Sequence, residues 1–165
     1  MKKLFVFSLI AVGAFSTYAQ QSMLPKSDEE QVKAVITELF DGYRIGDSLR
    51  VKNTFTEMAV LQTAYFDKAA NSQLSDPMPI STFTSYIGGG LSKVHDERIW
   101  DMKIQIDNNL ASAWTRYAFY LDGTFLHCGA ENFLLIKKNG SWKIFHLVDT
   151  RQQTGCKVPE SVKNQ

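Results

Sequence analysis

Polar side chains that could do chemistry recur at alternate positions in the last third of the sequence. Asp149 could act as a general base, because burial in an apolar concavity raises the pKa of a carboxyl group. Tyr117 could donate a hydrogen bond beside it. Alternatively, Asp149 pairs with Arg151 or Arg98 and only stabilises the fold. Around Asp149 and Tyr117 we expect four ligand-binding residues, namely Tyr43, Trp100, Thr115 and Asn132.

Histidine and cysteine give weaker indications of chemistry. His127 and Cys128 are adjacent, but neighbours in a strand point to opposite faces, so a nucleophile–base pair is disfavoured. His95, His127 and His146 lie in separate predicted strands, without the close spacing of metal ligands. The sequence also lacks phosphate-loop and dinucleotide-binding motifs. We therefore expect neither a metal nor a cofactor.

The chain has two cysteines, Cys128 and Cys156. An exported protein meets oxidising conditions, in which a disulfide can form. The segment through Gly155 would have to curl back for the two thiols to meet. Bonded and free cysteines are both compatible with the sequence.

Four long strands must position the candidate residues. Turn signals occur at Asn108-Asn109, Asp122-Gly123 and Asn139-Gly140. The last two dipeptides suit two-residue hairpins, whose central residues both need positive φ. We therefore predict an antiparallel meander with strands over residues 95–107, 110–121, 124–138 and 141–151.

The tight turns fix a register, and the register assigns each strand residue to one face of the sheet. One face is mostly apolar and also carries Trp100, Thr115, Tyr117, Asn132 and Asp149. The other, outer face is mostly polar. A β-bulge, for example at Gly129, would exchange the faces beyond it. The outer face is predicted to hold His95, Glu97, Trp114, Arg116, His127, Glu131, Trp142 and His146.

Helices and loops precede the meander. A capping box from Ser27 to Glu30 begins a helix over residues 28–45, whose apolar stripe should pack on the apolar face. Asp47 or Ser48 begins a second short helix that carries Phe55, and residues 60–66 are predicted as a strand. Residues 71–79 are predicted as a loop, and a short helix follows from Ser81.

Short motifs in the meander support a family resemblance. They are Trp114 to Gly123, His127-Cys128-Gly129, Gly140 to Ile144 and Asp149-Thr150-Arg151. With the helices, they resemble the nuclear transport factor 2-like superfamily, in its polyketide cyclase-like, lumazine-binding-like branch. The resemblance implies an α+β fold, a cone of helices on a curved antiparallel sheet. It also implies a homodimer formed through the outer face. No residue set matches ketosteroid isomerase or scytalone dehydratase, so no catalytic role is transferred.

The N-terminus has the features of a secretory signal peptide. Lys2 and Lys3 precede an apolar run over residues 4–15, which is too short to span a bilayer, and small residues lead to Ala19. We expect cleavage near Ala19 and export to the periplasm or the medium. The predicted organisation is a signal peptide (1–19), a linker (20–27), one domain (28–156) and a C-terminal tail (157–165).

The composition narrows the function classes. The 165 residues include 18 Lys and Arg against 17 Asp and Glu, so no excess of charge favours nucleic acid, or a membrane after cleavage. The leading hypothesis is an exported domain that binds an apolar or aromatic small molecule. One alternative is a lyase or isomerase with Asp149 as general base and Tyr117 as donor. Another is a protein-interaction module acting through the outer face, for which Trp114 and Arg116 are suited. Equally compatible with the sequence is a solvated outer face, on which Arg116 and Glu131 form a cross-strand pair.

Overall fold

The computed structural model describes residues 26–165, and its N-terminal helices pack against one face of a single sheet. The predicted signal peptide and residues 20–25 of the linker lie outside this range. Among the described residues, no helix is both long enough and apolar enough to cross a membrane. The helices are α1 (Asp28–Arg44), α2 (Ser48–Thr54), α3 (Ile80–Gly88) and α4 (Glu160–Lys163).

Seven strands form the sheet, in the order β2-β1-β7-β6-β5-β4, with β3 paired to β1. Strand β1 runs parallel to β7, and the other pairs are antiparallel. The strands are β1 (Phe55–Phe66), β2 (Ser72–Leu74), β3 (Met78–Pro79), β4 (His95–Asp107), β5 (Leu110–Leu121), β6 (Thr124–Lys138) and β7 (Ser141–Thr150).

Helix α1 covers the face of the sheet that we call the inner face. The Ser27 side chain accepts a hydrogen bond from the Glu30 backbone, and the Glu30 carboxylate accepts one from the Ser27 backbone, as the capping box predicts. Phe40 packs edge-on against Phe133 of β6, with ring centroids 6.1 Å apart. The apolar stripe of α1 thus becomes the cover of the core.

The first strand is longer than predicted and begins directly after α2. Phe55 belongs to β1 rather than to the second helix, and β1 extends five residues before the predicted start at residue 60. The predicted loop over residues 71–79 contains the short strands β2 and β3, which pair with β1. Local patterns missed these two because their ladders depend on a distant partner strand.

The predicted meander is present, and its turns have the expected backbone. Asn108 has a positive φ of 52°, and Asp122 and Asn139 have values of 48° and 52°. Gly123 and Gly140 follow with φ of 77° and 78°, the conformation that these hairpin dipeptides favour.

Three irregularities shift the register within the meander. Asp101 and Met102 together oppose Thr115, and Asp101 has a φ of 55°. In β6 and β7 the extra residues are Leu126 and Phe145. Each shift exchanges the faces beyond it, so the predicted faces hold on only one side of each irregularity.

The inner face consequently has two different ends. The packed end is covered by apolar side chains and carries Ala111, Ala113, Phe133, Leu135 and Ile144, all fully buried. The polar end, near the β5–β6 turn, carries Glu97, Tyr117, His127, Glu131 and Asp149.

The C-terminal segment returns across the outer face behind the polar end. Cys156 forms a disulfide with Cys128 of β6, with Cα atoms 6.0 Å apart. Arg98 donates hydrogen bonds to the backbone carbonyls of Val162 and Lys163, at 3.0 and 2.6 Å. Arg98 therefore attaches the segment predicted as a tail to the sheet, directly after the disulfide at the end of the predicted domain.

Candidate functional site

A cavity of about 300 Å³ opens at the polar end of the inner face. A water molecule occupies about 30 Å³ in the liquid, so this space equals about ten waters and suits a small organic molecule. Residues of α1, α3, β1, β3 to β7 and the adjoining loops line it. They are Tyr43, Leu61, Gln62, Thr63, Ser75, Met78, Phe83, Glu97, Phe119, His127, Glu131, Leu147, Asp149 and Arg151.

Aromatic rings form one wall of the cavity. Tyr43 of α1 lies 5.2 Å from Phe83 and 6.5 Å from Phe119, measured between ring centroids. Phe119 in turn stacks on His127 at 5.1 Å. Because β5 and β6 place Phe119 opposite His127, the sheet register itself holds this pair together.

Asp149 lies on the opposite side of the cavity, and its carboxylate is fully engaged. It accepts hydrogen bonds from Thr63 Oγ1 at 2.6 Å and from Arg151 Nε at 2.7 Å. The Tyr117 hydroxyl lies 3.1 Å from its Oδ2 atom. Three donors occupy the two carboxylate oxygens, and one of these donors, the Arg151 guanidinium, forms an ion pair with Asp149. The contacts therefore favour the structural role over the predicted role as general base.

Tyr117 is fully buried behind Asp149 and does not line the cavity. Its hydroxyl oxygen lies 2.9 Å from the Thr150 carbonyl and 3.2 Å from His127 Nδ1. Burial, followed by the charge of Asp149, raises the pKa of the Tyr117 phenol. We therefore place Tyr117 as a support for Asp149 rather than as a donor to a bound molecule.

Gly129 makes this close packing of Tyr117 geometrically feasible. A Cβ atom at position 129 would lie 1.8 Å from the Thr150 carbonyl oxygen and 2.8 Å from Cε1 of Tyr117. Both distances are far below van der Waals contact, and one partner is backbone that cannot rotate away. Only glycine therefore fits where β6 passes between Tyr117 and Thr150.

Glu131 carries the least satisfied polar atom of the site. The residue is 3% exposed, and its Oε2 atom is buried without a hydrogen-bond partner among residues 26–165. Burial raises the pKa of this carboxyl group well above its ordinary value, and the nearby charges of Glu97 and Asp149 raise it further. The register puts Glu131 directly opposite Asp149, so a partnered and an unpartnered carboxyl lie side by side.

Glu97 contributes a third carboxyl group from β4. It is partly buried, and burial together with the charge of Asp149 raises its pKa to about 8. Arg151 opposes the shift but does not cancel it. A carboxyl with such a pKa exchanges its proton near neutral pH.

Positive charge is scarce around this cavity. Arg151 is the one Lys or Arg among the described lining residues, and it is bound to Asp149. His127 adds little positive charge, since burial and then Arg151 lower its pKa. One guanidinium therefore faces three carboxyl groups.

The structure places the predicted site residues unequally. Tyr43 and Asp149 line the cavity. Thr115 is on the inner face, but it is fully buried and its hydroxyl donates to the Trp100 carbonyl at 2.8 Å. The inner-face positions predicted for Trp100 and Asn132 are wrong, because the register shifts turn both side chains to the outer face.

The same shifts bring in residues that were predicted on the outer face. His95 and Trp142 are buried under the helices, and the predicted Arg116–Glu131 pair does not form because Arg116 opposes Ala130. The register shift at Leu126 is not evident from the sequence pattern, because residues 133–136 are all apolar and so occupy both faces of the sheet. The relocated cavity residues are Glu97, His127 and Glu131.

No group of three or more His, Cys, Asp or Glu residues has an arrangement suited to a metal ion within residues 26–165. Although Glu97, Glu131 and Asp149 are neighbours, Asp149 already uses its oxygens on Arg151, Thr63 and Tyr117.

Comparisons with known proteins identify the fold. No protein-family model and no curated protein matches the sequence. A nuclear transport factor 2-like protein from Cytophaga hutchinsonii superposes with a TM-score of 0.62 at 10% identity, over 77% of this chain and 100% of that one. One of unknown function from Shewanella baltica gives 0.56 at 17% identity, over 75% and 93%. A candidate scytalone dehydratase from Novosphingobium aromaticivorans gives 0.58 at 9% identity, over 79% and 89%.

The chain thus has the nuclear transport factor 2-like fold, an α+β fold also described as cystatin-like. The predicted nuclear transport factor 2-like fold is confirmed, whereas the polyketide cyclase-like, lumazine-binding-like branch stays a prediction. At these identities the likeness concerns the fold alone, and chemistry must be argued from the site.

Proposed function

We propose that the chain binds a small organic molecule in the cavity at the polar end. The observation that carries the proposal is the Glu131 carboxyl group, which lines the cavity with a buried oxygen that has no partner among the described residues. An unpartnered buried polar group lowers stability by about 1–3 kcal/mol. Groups retained at a cost to stability are characteristic of functional sites.

The aromatic wall supports the same proposal. Tyr43, Phe83 and Phe119 offer apolar surface beside the carboxyl groups, and this combination orients a small ligand. An apolar or aromatic body would lie against these rings, and a polar group of the ligand would reach Glu131.

A pair of matched methionine substitutions tests the binding site. Met78→Trp places a large ring at the cavity edge, whereas Met58→Trp makes the same change at a residue that is 88% exposed and remote from the lining. An aromatic fragment library is screened by ligand-observed NMR. We expect hits with the wild type and with Met58→Trp and a loss of most of them with Met78→Trp. Hits that survive Met78→Trp would place binding elsewhere.

An enzyme of the lyase or isomerase class is the second candidate. The observation that favours it is Glu97, a cavity carboxyl with a pKa of about 8, which can both take up and release a proton near neutral pH. Glu97 replaces Asp149 as the proposed base. Among the similar folds is the candidate scytalone dehydratase mentioned above.

Hydrogen exchange tests this second candidate. If the site abstracts protons next to a carbonyl, the protein should speed deuterium incorporation into cyclohexanone, followed by NMR. Glu97→Gln should remove the acceleration, and Glu57→Gln, at an exposed site on β1, should retain it. An acceleration that survives Glu97→Gln would argue against this base.

We also propose export and dimerisation, each with its own test. The Cys128–Cys156 disulfide supports export, because such bonds persist in oxidising compartments. The mature chain should begin at Gln20 when the secreted or periplasmic protein is sequenced.

On the outer face, Trp114 lies 5.5 Å below the Arg116 guanidinium, an arrangement suited to an interface between two copies of the chain. Sedimentation should show a dimer that Trp114→Ala dissociates, and a monomeric wild type would remove the dimer proposal.

A further inference from the structure

The polar end of the cavity has more acid than its own residues can neutralise. Asp149 uses the Arg151 guanidinium, and this leaves Glu97 and Glu131 without a basic partner among the described lining residues. The Glu131 Oε2 atom lacks even a neutral donor. A bound molecule that brings N–H donors and one positive charge would supply what both carboxyls lack.

Building on the proposed small-molecule site, we propose that its ligand is an organic ammonium ion, an amine with an aromatic or apolar body. The ammonium group would lie between Glu97 and Glu131 and donate a hydrogen bond to Glu131 Oε2. The body of the ligand would lie along Tyr43, Phe83 and Phe119. Failure of the binding site would remove this inference as well.

The surrounding groups favour a cation over an anion. Aromatic faces attract ammonium groups, and the rings of Tyr43 and Phe119 lie on the same cavity as the acids. A carboxylate or phosphate ligand would instead meet three carboxyl groups and compete with Asp149 for Arg151. An ammonium ligand would be attracted by Glu97 and Glu131, and the ion pair with Asp149 would reduce its repulsion by Arg151.

The titratable groups around the two acids define how binding should depend on pH. Burial and the charge of Asp149 raise the pKa of Glu97 to about 8, and burial raises the pKa of Glu131 well above its ordinary value. An ammonium ion binds their charged forms, so its binding should expel a proton into solution. The other charged or titratable groups facing them are Tyr43 of α1, Asp96 of β4, Tyr117 of β5, His127 of β6, Asp149 of β7 and Arg151 after it.

Three probes of the same shape test the ligand class by calorimetry at pH 7 and pH 8.5. Benzylamine carries the cation, benzyl alcohol is neutral and benzoate is an anion. We expect benzylamine to bind at least tenfold more tightly than benzyl alcohol, and benzoate more weakly than both. Benzylamine affinity should rise between the two pH values, whereas benzyl alcohol affinity should not. Titrations in buffers with different heats of ionisation should show proton release with benzylamine alone.

Charge-removing variants assign the effect to the proposed residues. Glu131→Gln keeps the shape of the side chain and should weaken benzylamine at least tenfold while changing benzyl alcohol less than twofold. Glu57→Gln removes a carboxyl from an exposed site and should change neither. Thermal unfolding of each variant verifies that it is folded.

The outcomes separate this inference from the binding site itself. If benzyl alcohol or benzoate bound more tightly than benzylamine, and Met78→Trp weakened that binding, the inference of an ammonium ligand would be overturned. The proposed binding site itself would then still be supported. Equal loss of all three probes in Glu131→Gln would also overturn it, because the charge would not be what is recognised. Absence of binding by all three probes and by the fragment library would overturn the site as well.

Discussion

The two ends of the inner face are built by the same four strands yet differ in what fills them. At the packed end, Phe133, Leu135 and Ile144 meet the apolar stripe of α1 and are fully buried. At the polar end, the same alternation presents Glu131 and Asp149 to a cavity of about 300 Å³. Stability is therefore expected to come mainly from the packed end, while the polar end holds a buried carboxyl oxygen, Glu131 Oε2, that has no partner among the described residues.

The polar end also contains a comparison within itself. Asp149 and Glu131 are opposed across β6 and β7, but Asp149 has Thr63, Tyr117 and Arg151 as partners while Glu131 Oε2 has none among the described residues. Two carboxyl groups in adjacent positions are thus expected to affect stability in opposite ways: Asp149 stabilises the fold, and Glu131 destabilises it. Substitutions of each residue can measure this difference.

The largest expected effect comes from removing the same ring at each end. Phe133→Ala should lower the free energy of unfolding by about 3–5 kcal/mol, because Phe133 is fully buried against Phe40. Phe119→Ala should cost about 2 kcal/mol, because Phe119 already borders empty space. Urea denaturation measures both. Equal losses would show that the two ends are packed alike.

Removing the disulfide should have the next largest effect. Cys128→Ser with Cys156→Ser opens a link over 28 residues and should cost about 3 kcal/mol in the chain-entropy description. Because Cys128 lies between His127 and Gly129, we expect amide hydrogen exchange to increase most around the polar end. An increase confined to the packed end would contradict the idea that the disulfide holds the C-terminal segment against the polar end.

Asp149→Asn should destabilise the protein by about 1–2 kcal/mol, since it weakens hydrogen bonds made by a charged group, and Arg151 is partly exposed to solvent. The measurement is thermal unfolding at pH 5, because the raised pKa of Glu131 favours its neutral form at low pH and so reduces its repulsion of Asp149. An unchanged or higher melting temperature would return Asp149 to the candidates for a functional carboxylate.

Glu131→Gln should raise the free energy of unfolding, in contrast to Asp149→Asn, and this effect should be smallest at low pH. The folded protein holds this proton more strongly than the unfolded chain, so the contribution of Glu131 is most favourable below about pH 4.5 and is lost as the pH rises. The contribution of Glu97 to stability is likewise favourable at low pH and is lost as the pH rises through its pKa of about 8. The variant should therefore gain about 1–3 kcal/mol over the wild type at pH 8 and little at pH 4. A difference independent of pH would mean that Glu131 is not titrating.

The first helix and the four-strand meander could be predicted from the sequence because their signals are local. The capping box at Ser27 and the hairpin dipeptides at Asp122 and Asn139 each specify a backbone geometry by themselves. Strands β2 and β3 were missed because their pairing with β1 is not local.

The site was predicted only in part, because face assignment depends on register. A single extra residue at Asp101, Leu126 or Phe145 is enough to exchange inside and outside. None of the three is marked by a glycine, and apolar residues beyond Leu126 fit either face. Asp149 was placed correctly, whereas Glu97 and Glu131 were assigned to the wrong face.

The packing constraint at Gly129 can be used to interpret other sequences of this fold. Any side chain there would separate β6 from the Thr150 backbone, and no change at Tyr117 alone could accommodate it. A relative that aligns an alanine with this position must therefore lack the Tyr117–Thr150 contact. Glycine at this position, together with tyrosine two residues before Phe119, would mark the relatives able to orient an aspartate as this chain orients Asp149.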